Sequence, residues 1–545
     1  MEALSHHDRQ EILRRRTLAI ISHPDAGKTT LTEKLLFFAG AIKTAGSVRP
    51  KKQHSYATSD WMAMEQARGI SITSTVLQFE HRGLLFNLLD TPGHQDFSED
   101  TYRTLAAVDS AIMVLDAAKG IEPQTRKLFD VCRMRQIPIL TFINKLDQPG
   151  RDPMELLDEI EQILGLEVCP QNWPVGRDAQ FQGVVDLCSR RFIQYRRAGA
   201  QTTSLGPDIA VDSHEFDHAV GDSDARRLRE TFDLLQGVIP PLEQERFLEG
   251  RQTPVFFGSA VNNFGVDLFL EAIAEMVPPP RSRKAGQIVV DPLASGFSAF
   301  VFKIQGNMDP MHRDSMAFFR ICSGRFTREI LVHHPRLGRQ IRMTRLHRLF
   351  ARDREALEEA FAGDVVGVVN PGLFIIGDTV STSPGIEFER MPSFQPEHFA
   401  TLRMNDVSKS KQFRKGVIQL AQEGAVQVYY DPHGVRREPI LGAVGRLQFD
   451  VVQSRLLQEY GVRAGIDPLP YICACWPQGE PEALRRVRWP SSGVLMAKDH
   501  YDQTVCLFTS KWELQMVARD HPQVRFATTG GMESRAQQAL QEASH

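Results

Sequence analysis
The stretch Ser22-His23-Pro24-Asp25-Ala26-Gly27-Lys28-Thr29-Thr30 limits what this chain can fold into more than any other. It lies between an apolar run, Leu18-Ala19-Ile20-Ile21, and a helical pattern that starts near Thr29, continues through Leu31, Leu35 and Phe38, and stops at Gly40. Strand, tight loop and helix in that order aim backbone N–H groups and the positive end of the helix dipole at one point, a cradle for an anion. Gly27 lets the backbone approach a phosphate without a Cβ in the way. Lys28 brings an ammonium to β- and γ-phosphate oxygens, and the Thr29 hydroxyl is placed to ligate a bridging Mg2+. Ser22 occupies the position where GxxxxGK[ST] has its first glycine, so the loop alone implies a nucleotide's phosphates without fixing the base.

A strand of this kind belongs to a parallel α/β sheet, whose ligands bind at the carboxyl ends of the strands. The buried run Leu84–Leu89 delivers Asp90-Thr91-Pro92-Gly93-His94 to that edge. Asp90 can hold a water of the Mg2+ shell there, and the Gly93 N–H can reach the γ-phosphate. The run Ile137–Ile143 delivers Asn144-Lys145-Leu146-Asp147, and a carboxylate at that place accepts from the N1–H and exocyclic amino group of guanine, a donor pair that adenine lacks. Gly258-Ser259-Ala260, after Pro254–Phe257, is suited to closing over the base with backbone amides. The polar, basic stretch Lys43–Asp60 and the following Arg68-Gly69-Ile70-Ser71-Ile72-Thr73 suggest a movable loop ordered by nucleotide. Ser71 or Thr73 could supply its Mg2+-sensing hydroxyl, with Ser71 preferred. The cofactor set expected is GTP/GDP with Mg2+, the latter on Thr29, Ser71 and Asp90.

Beyond this first unit the pattern changes twice. Expected are a P-loop GTPase domain over 1–280, with an insertion over about 167–249, a β-barrel domain over 281–390, and an α+β domain of split βαβ, ferredoxin-like layout with a C-terminal extension over 391–545. Pro278-Pro279-Pro280 marks the first boundary. Short alternating strands with Gly363-Asp364 and Gly377-Asp378 turns mark the barrel. Helical patterns at Lys409–Gln422 and Arg446–Tyr460 between strands mark the third unit, and no long-period repeat is visible. The net charge of −3 excludes a nucleic-acid-coating polycation, so any RNA contact must come from a local patch. Lys303–Arg354, with 12 Lys/Arg against 4 Asp/Glu, is the candidate RNA-facing surface. The seven cysteines are scattered, with only the CxC pair Cys473/Cys475 close, and imply free thiols. With no signal-peptide pattern and no membrane-length apolar run, the expected location is the cytoplasm, with no membrane contact.

Phosphate loop, Arg68–Ile72, Asp90–His94, Asn144–Asp147 and Gly258–Ala260, in this order, resemble the motifs of the translational GTPases over essentially the whole chain. Ser59–Met62, Phe97–Thr104, Phe302–Gln305 and Gly445–Val452 resemble the termination branch of that family rather than elongation factor G; a translocase or elongation-type factor is the alternative. The resemblance implies a ribosome-stimulated GTPase whose partners are the 70S ribosome, with its sarcin–ricin RNA loop, ribosomal RNA and proteins, and a class I release factor. A monomer is expected. It also implies that His94 orients the attacking water, that Pro24 and Ile70 flank it as apolar gate residues, that Asp25 meets the sarcin–ricin RNA, and that Ser71 is the Mg2+-sensing hydroxyl.

Overall fold
A seven-stranded sheet carries the first unit of the computed structural model, which describes residues 4–42, 65, 71–198, 202–306, 315–344, 346–350, 353–389, 391, 394–432, 438–490, 492–499 and 502–527. Its strands lie in the order Thr75–His81, Leu84–Asp90, Arg15–Ser22, Ser110–Asp116, Ile139–Asn144, Gln252–Phe257 and Glu167–Pro170. All neighbours pair in parallel except Thr75–His81, which runs antiparallel on the edge. Both faces of the central strands are covered, so they read as continuous apolar runs. Successive residues feed opposite cores: Ala19 and Ile21 pack with Leu105, Leu128 and Phe129, whereas Leu18 and Ile20 pack with Leu31, Leu35 and Phe269.

Ser5 caps the opening helix His6–Leu13, its hydroxyl accepting from the Asp8 N–H at 3.1 Å. The first strand begins at Arg15, three residues before the apolar run Leu18–Ile21. Glu167–Pro170, expected as the start of the insertion, is instead the outer strand of the main sheet, paired with Gln252–Val255. Four residues are too few for a period to declare which sheet they join. The inserted layer proper is an antiparallel sheet of Asn172–Val175, Gly183–Asp186, Arg191–Ala198 and Thr202–Ala210, backed by helices His214–Val220 and Asp222–Val238.

An eight-stranded antiparallel sheet between Ser298 and Ser381 curls around Val301, Phe319, Ile321, Val332 and Phe374. Its two Gly-Asp turns are built alike. Asp364 accepts from the Phe361 N–H and Asp378 from the Ile375 N–H, and each carboxylate also takes an arginine, Arg15 on Asp364 and Arg336 on Asp378.

The last part is two modules of the same topology. Strand His398–Met404, helix Ser410–Gln422, strands Gln427–Tyr429 and Ile440–Ala443, helix Leu447–Tyr460 and strand Ala464–Leu469 form a sheet with its own strands in the order 2-3-1-4. Cys473–Gln478, Pro481–Arg485, Val494–Lys498, Thr504–Phe508, Lys511–Asp520 and Arg525–Ala527 then repeat strand, helix, two strands, helix and strand, again with order 2-3-1-4. The architecture repeats where the sequence does not, because a split βαβ layout needs only the alternation of elements.

Candidate nucleotide-binding site
The phosphate loop leaves strand Arg15–Ser22 at the middle of the sheet and enters helix Lys28–Phe38 through Gly27. Gly27 has φ +90° and its Cα faces the Asn144 amide, so both the backbone conformation and the space exclude a side chain. Asp25 also lies in the left-handed region, at φ 65°, and is exposed on the loop's outer side. Thr29 and Thr30, half-buried, follow Lys28 in the first helical turn. The Lys28 ammonium pairs with Asp90 Oδ1, and the Thr32 hydroxyl approaches the same oxygen at 3.4 Å. Thr91 ties the next loop down by donating to the Ile20 carbonyl at 2.7 Å. A Cβ on Gly93 would stand 3.6 Å from Pro24 Cα, so the two loops meet at Pro24 and Gly93, with Pro92 beside them.

One side chain joins the phosphate and base segments. Asn144 donates from Nδ2 to the Ala26 carbonyl at 2.8 Å and accepts at Oδ1 from the Ala260 N–H at 2.9 Å. Ser259 donates to Asp147 Oδ1 at 2.6 Å, and Leu146 N–H reaches the Gly258 carbonyl at 3.2 Å. Lys145, at φ 70°, lays its ammonium 2.8 Å from Asp116. Burial pushes the Asp116 carboxyl up, but the Lys145 hydrogen bond and charge together with the Ala118 N–H outweigh it and hold the group below its ordinary value. His23 is fully buried under the phosphate loop, with Nδ1 2.5 Å from Glu122 Oε2 and 2.7 Å from the Pro24 carbonyl. Both neighbours are acceptors, so Nδ1 carries the proton. Burial holds this imidazole below its usual value against the pull of Glu122.

His94 sits at the mouth of the site, one third exposed, tilted against Phe97 with ring centroids 6.1 Å apart. Its Nδ1 accepts from the Asp96 N–H at 3.2 Å, which leaves the ring proton on Nε2 in the neutral form. Ser71 is buried, and Glu65 Oε1 fastens the chain beyond it by accepting from Ile72 N–H at 2.9 Å and Thr73 N–H at 3.1 Å. Arg68, Gly69 and Ile70, with the loop Lys43–Asp60, lie outside the described residues. Thr29, Ser71 and Asp90 offer oxygen donors alone, the set that a hard cation such as Mg2+ takes.

Motif reading did not find the residues that tie this site to the rest of the chain. Asp96 Oδ2 accepts from the Leu447 N–H at 2.8 Å, at the start of helix Leu447–Tyr460. That helix has no cap from its own Arg446, so the carboxylate from the first unit satisfies one of its orphan donors. A Cβ on Gly445 would collide with the Asp96 carboxylate, which is why glycine stands there. Lys303, buried in the barrel, donates to the Ser74 carbonyl and, at 3.1 Å, to the Ser74 hydroxyl, while Asp100 accepts from the Ser74 N–H at 2.7 Å. Burial pulls the Lys303 ammonium down, opposed by the carboxylates of Asp100, Glu65 and Glu423. Arg320 forms a buried pair with Asp109 of the first unit. The basic run Lys303–Arg354 is thus divided: Lys303 and Arg320 are internal struts and Arg336 holds Asp378, whereas Arg328, Arg339, Arg342 and Arg348 remain on the surface. Among the described residues the cysteines are all free, six of them buried.

Three family models match the chain in succession: the elongation factor Tu GTP binding domain over residues 13–279, elongation factor G domain 2 over 296–383, and the class II release factor RF3 C-terminal domain over 388–518. Peptide chain release factor 3 of Gloeobacter violaceus is 54% identical over 518 residues, covering 95% of this chain and 97% of that protein. Peptide chain release factor 3 of Nostoc punctiforme is 51% identical over 534 residues, 98% of each chain, and that of Symbiobacterium thermophilum is 51% identical over 520 residues. A crystal structure of a Thermus thermophilus protein aligns with TM-score 0.68 at 23% identity, over 86% of this chain and 71% of that one, a likeness of fold.

Proposed function
The chain belongs to the peptide chain release factor 3 family and is a GTPase of translation termination; from that premise we propose how its residues perform the switch. The GTP form binds the terminating ribosome and drives off a class I release factor, and hydrolysis lets the protein leave. Residues 1–280 hold the nucleotide, 281–390 and 391–545 follow its state, and the chain acts as a monomer in the cytoplasm. No helix among the described residues is long and apolar enough to cross a membrane.

Ser22 through Thr30 cradle the phosphates, with Lys28 neutralising the β- and γ-oxygens and the Gly93 N–H reaching the γ-phosphate. Asp147 reads guanine, held in place by Ser259, and Asn144 keeps the base loop in register with the phosphate loop. Thr29, Ser71 and Asp90 would hold Mg2+, which would supply charge neutralisation for the phosphates. His94 donates from Nε2 to the attacking water and so orients it, with Pro24 limiting access. The sarcin–ricin RNA completes this arrangement beside Asp25.

The observation that carries the reading is Asp96. It stands two residues from His94 and caps the first turn of a helix in the C-terminal part, so the water-orienting segment and that helix cannot move independently. Lys303 does the same for the barrel through Ser74. The test is GTP hydrolysis with and without ribosomes carrying a class I factor, with factor release followed in parallel. Hydrolysis and release should both depend on the ribosome complex, and ribosome-independent turnover without factor release would overturn the assignment.

A further inference from the structure
Helix Ser410–Gln422 buries Phe413, Gly416, Val417 and Leu420 and turns the opposite face outward. On that face Lys411, Arg414, Lys415 and Ile418 follow at i, i+3, i+4 and i+7, all exposed, with Ile418 46% exposed. None of the three cations has an ion-pair partner among the described residues, although many surface arginines of this protein do. The arrangement is unfavourable by itself. Like charges at i+3 and i+4 repel, and cations in the first half of a helix oppose its dipole, here with no acidic residue in the first turn to offset them. Tyr430 lies close enough to Arg414 to feel its charge and is 40% exposed, and Val407, just before the helix, is 80% exposed.

We infer that this helix face is a docking surface for the phosphate backbone of ribosomal RNA. The inference rests on the termination-factor reading above and adds a surface that no motif of the nucleotide site touches. Unpaired cations repeating about 5–6 Å apart on a helix face suit a line of phosphates, and two of them are lysines, point charges that bind phosphate without demanding one geometry. The exposed Tyr430 and Ile418 beside them give sugars or an unstacked base an apolar contact, the mixture that single-stranded RNA takes. Local repulsion that stability alone would remove is thereby used, since an anionic strand relieves it. Just past the end of the same helix, Gly424 faces the Arg103 guanidinium of the first unit, and Glu423 pairs with Arg455 of helix Leu447–Tyr460 at 2.6 Å.

The test is binding of the full-length protein, with a hydrolysis-resistant GTP analogue, to 70S ribosomes across a salt series, for the unsubstituted chain and for the triple variant Lys411→Gln, Arg414→Gln, Lys415→Gln. Glutamine keeps helix propensity, so circular dichroism and GTP affinity of the isolated variant should match the parent. Three lost phosphate contacts should make the slope of log K against log salt shallower by about 2. A photo-crosslinking residue in place of Gln412 should give adducts with ribosomal RNA. An unchanged slope, or adducts with ribosomal proteins alone, would overturn the inference while leaving the functional reading intact. Failure of the unsubstituted chain to bind ribosomes would overturn both.

Discussion

Replacing Asp96 with alanine isolates the joint between the nucleotide site and the C-terminal modules. In the parent the carboxylate accepts from the Leu447 N–H at 2.8 Å and lies at the positive end of helix Leu447–Tyr460. Alanine leaves that N–H without its cap, at a loss of about 1 kcal/mol, and removes an anion from a partly buried helix N-terminus, roughly another 1 kcal/mol. Together about 2 kcal/mol shifts the docked-to-undocked equilibrium about 30-fold. Amide hydrogen exchange reads this directly: the Leu447–Phe449 amides should exchange about 30-fold faster in Asp96→Ala, while those of strand Ser110–Asp116 stay as in the parent. Asp96→Asn should keep the cap and lose the anion, so exchange there should rise only about 5-fold, for a loss of about 1 kcal/mol. Ribosome-stimulated hydrolysis should fall in the alanine variant with little change in GTP affinity, since no phosphate or base contact is touched. Unchanged exchange at Leu447–Phe449 in Asp96→Ala would refute the reasoning, because the helix would then be held by something other than this cap.

His94→Ala should retain nucleotide binding and lose ribosome-stimulated hydrolysis by about 100-fold or more, measured in single-turnover assays; an unchanged stimulated rate would remove the histidine from the mechanism. Asp147→Asn should shift preference from GTP toward xanthosine triphosphate, whose 2-oxo group accepts where guanine donates, and competition binding that still favours GTP would count against the base contact. The Asp378 carboxyl is pushed up by burial but held below its ordinary value by the combined pull of Arg336, His334 and the Ile375 N–H. A depressed folded value stabilises the native barrel above about pH 4 and the contribution is lost as pH falls through the folded value. Urea midpoints of the parent should therefore drop faster than those of Asp378→Asn below about pH 4, and parallel curves would show that the pair contributes nothing to the linkage.

The convergence of the motif segments was legible because each is local. Each motif is a short run at the carboxyl end of a parallel strand of one sheet, with Leu84–Asp90 on one side of Arg15–Ser22 and Ile139–Asn144 two strands away on the other, so Lys28, Asp90 and Asn144 reach the same edge. The joints were not legible for the opposite reason. Lys303 and Arg320 stand in a basic run that composition reads as a solvated or RNA-facing stretch, and nothing in the sequence says that their partners are Ser74 and Asp109, more than 200 residues away. Asp96 belongs to the loop after His94 and carries no motif of its own. The second split βαβ module escaped because its helix Pro481–Arg485 is only five residues long, too short to print a helical period.

That the joint to the C-terminal part is polar, with little apolar surface beside it, follows from what a switch must do. Asp96 on Leu447 links the nucleotide-holding unit to the C-terminal part through a hydrogen bond to an ion, beside the small apolar cluster of Ile72, Phe97 and Val451. Arg15 on Asp364, Arg320 on Asp109 and Lys303 on Ser74 instead join the barrel alongside an apolar core that runs from Leu105 and Val108 into Phe300 and Phe318. A wide apolar interface would hold one arrangement and resist separation, since exposing it to water is unfavourable at every step of the motion. Ions that part are rehydrated, which recovers much of what burial removed, so two arrangements can lie within a few kcal/mol of each other. The same polar joint that adds little net stability therefore lets a phosphate contact, itself limited to a few kcal/mol of differential binding, decide between them.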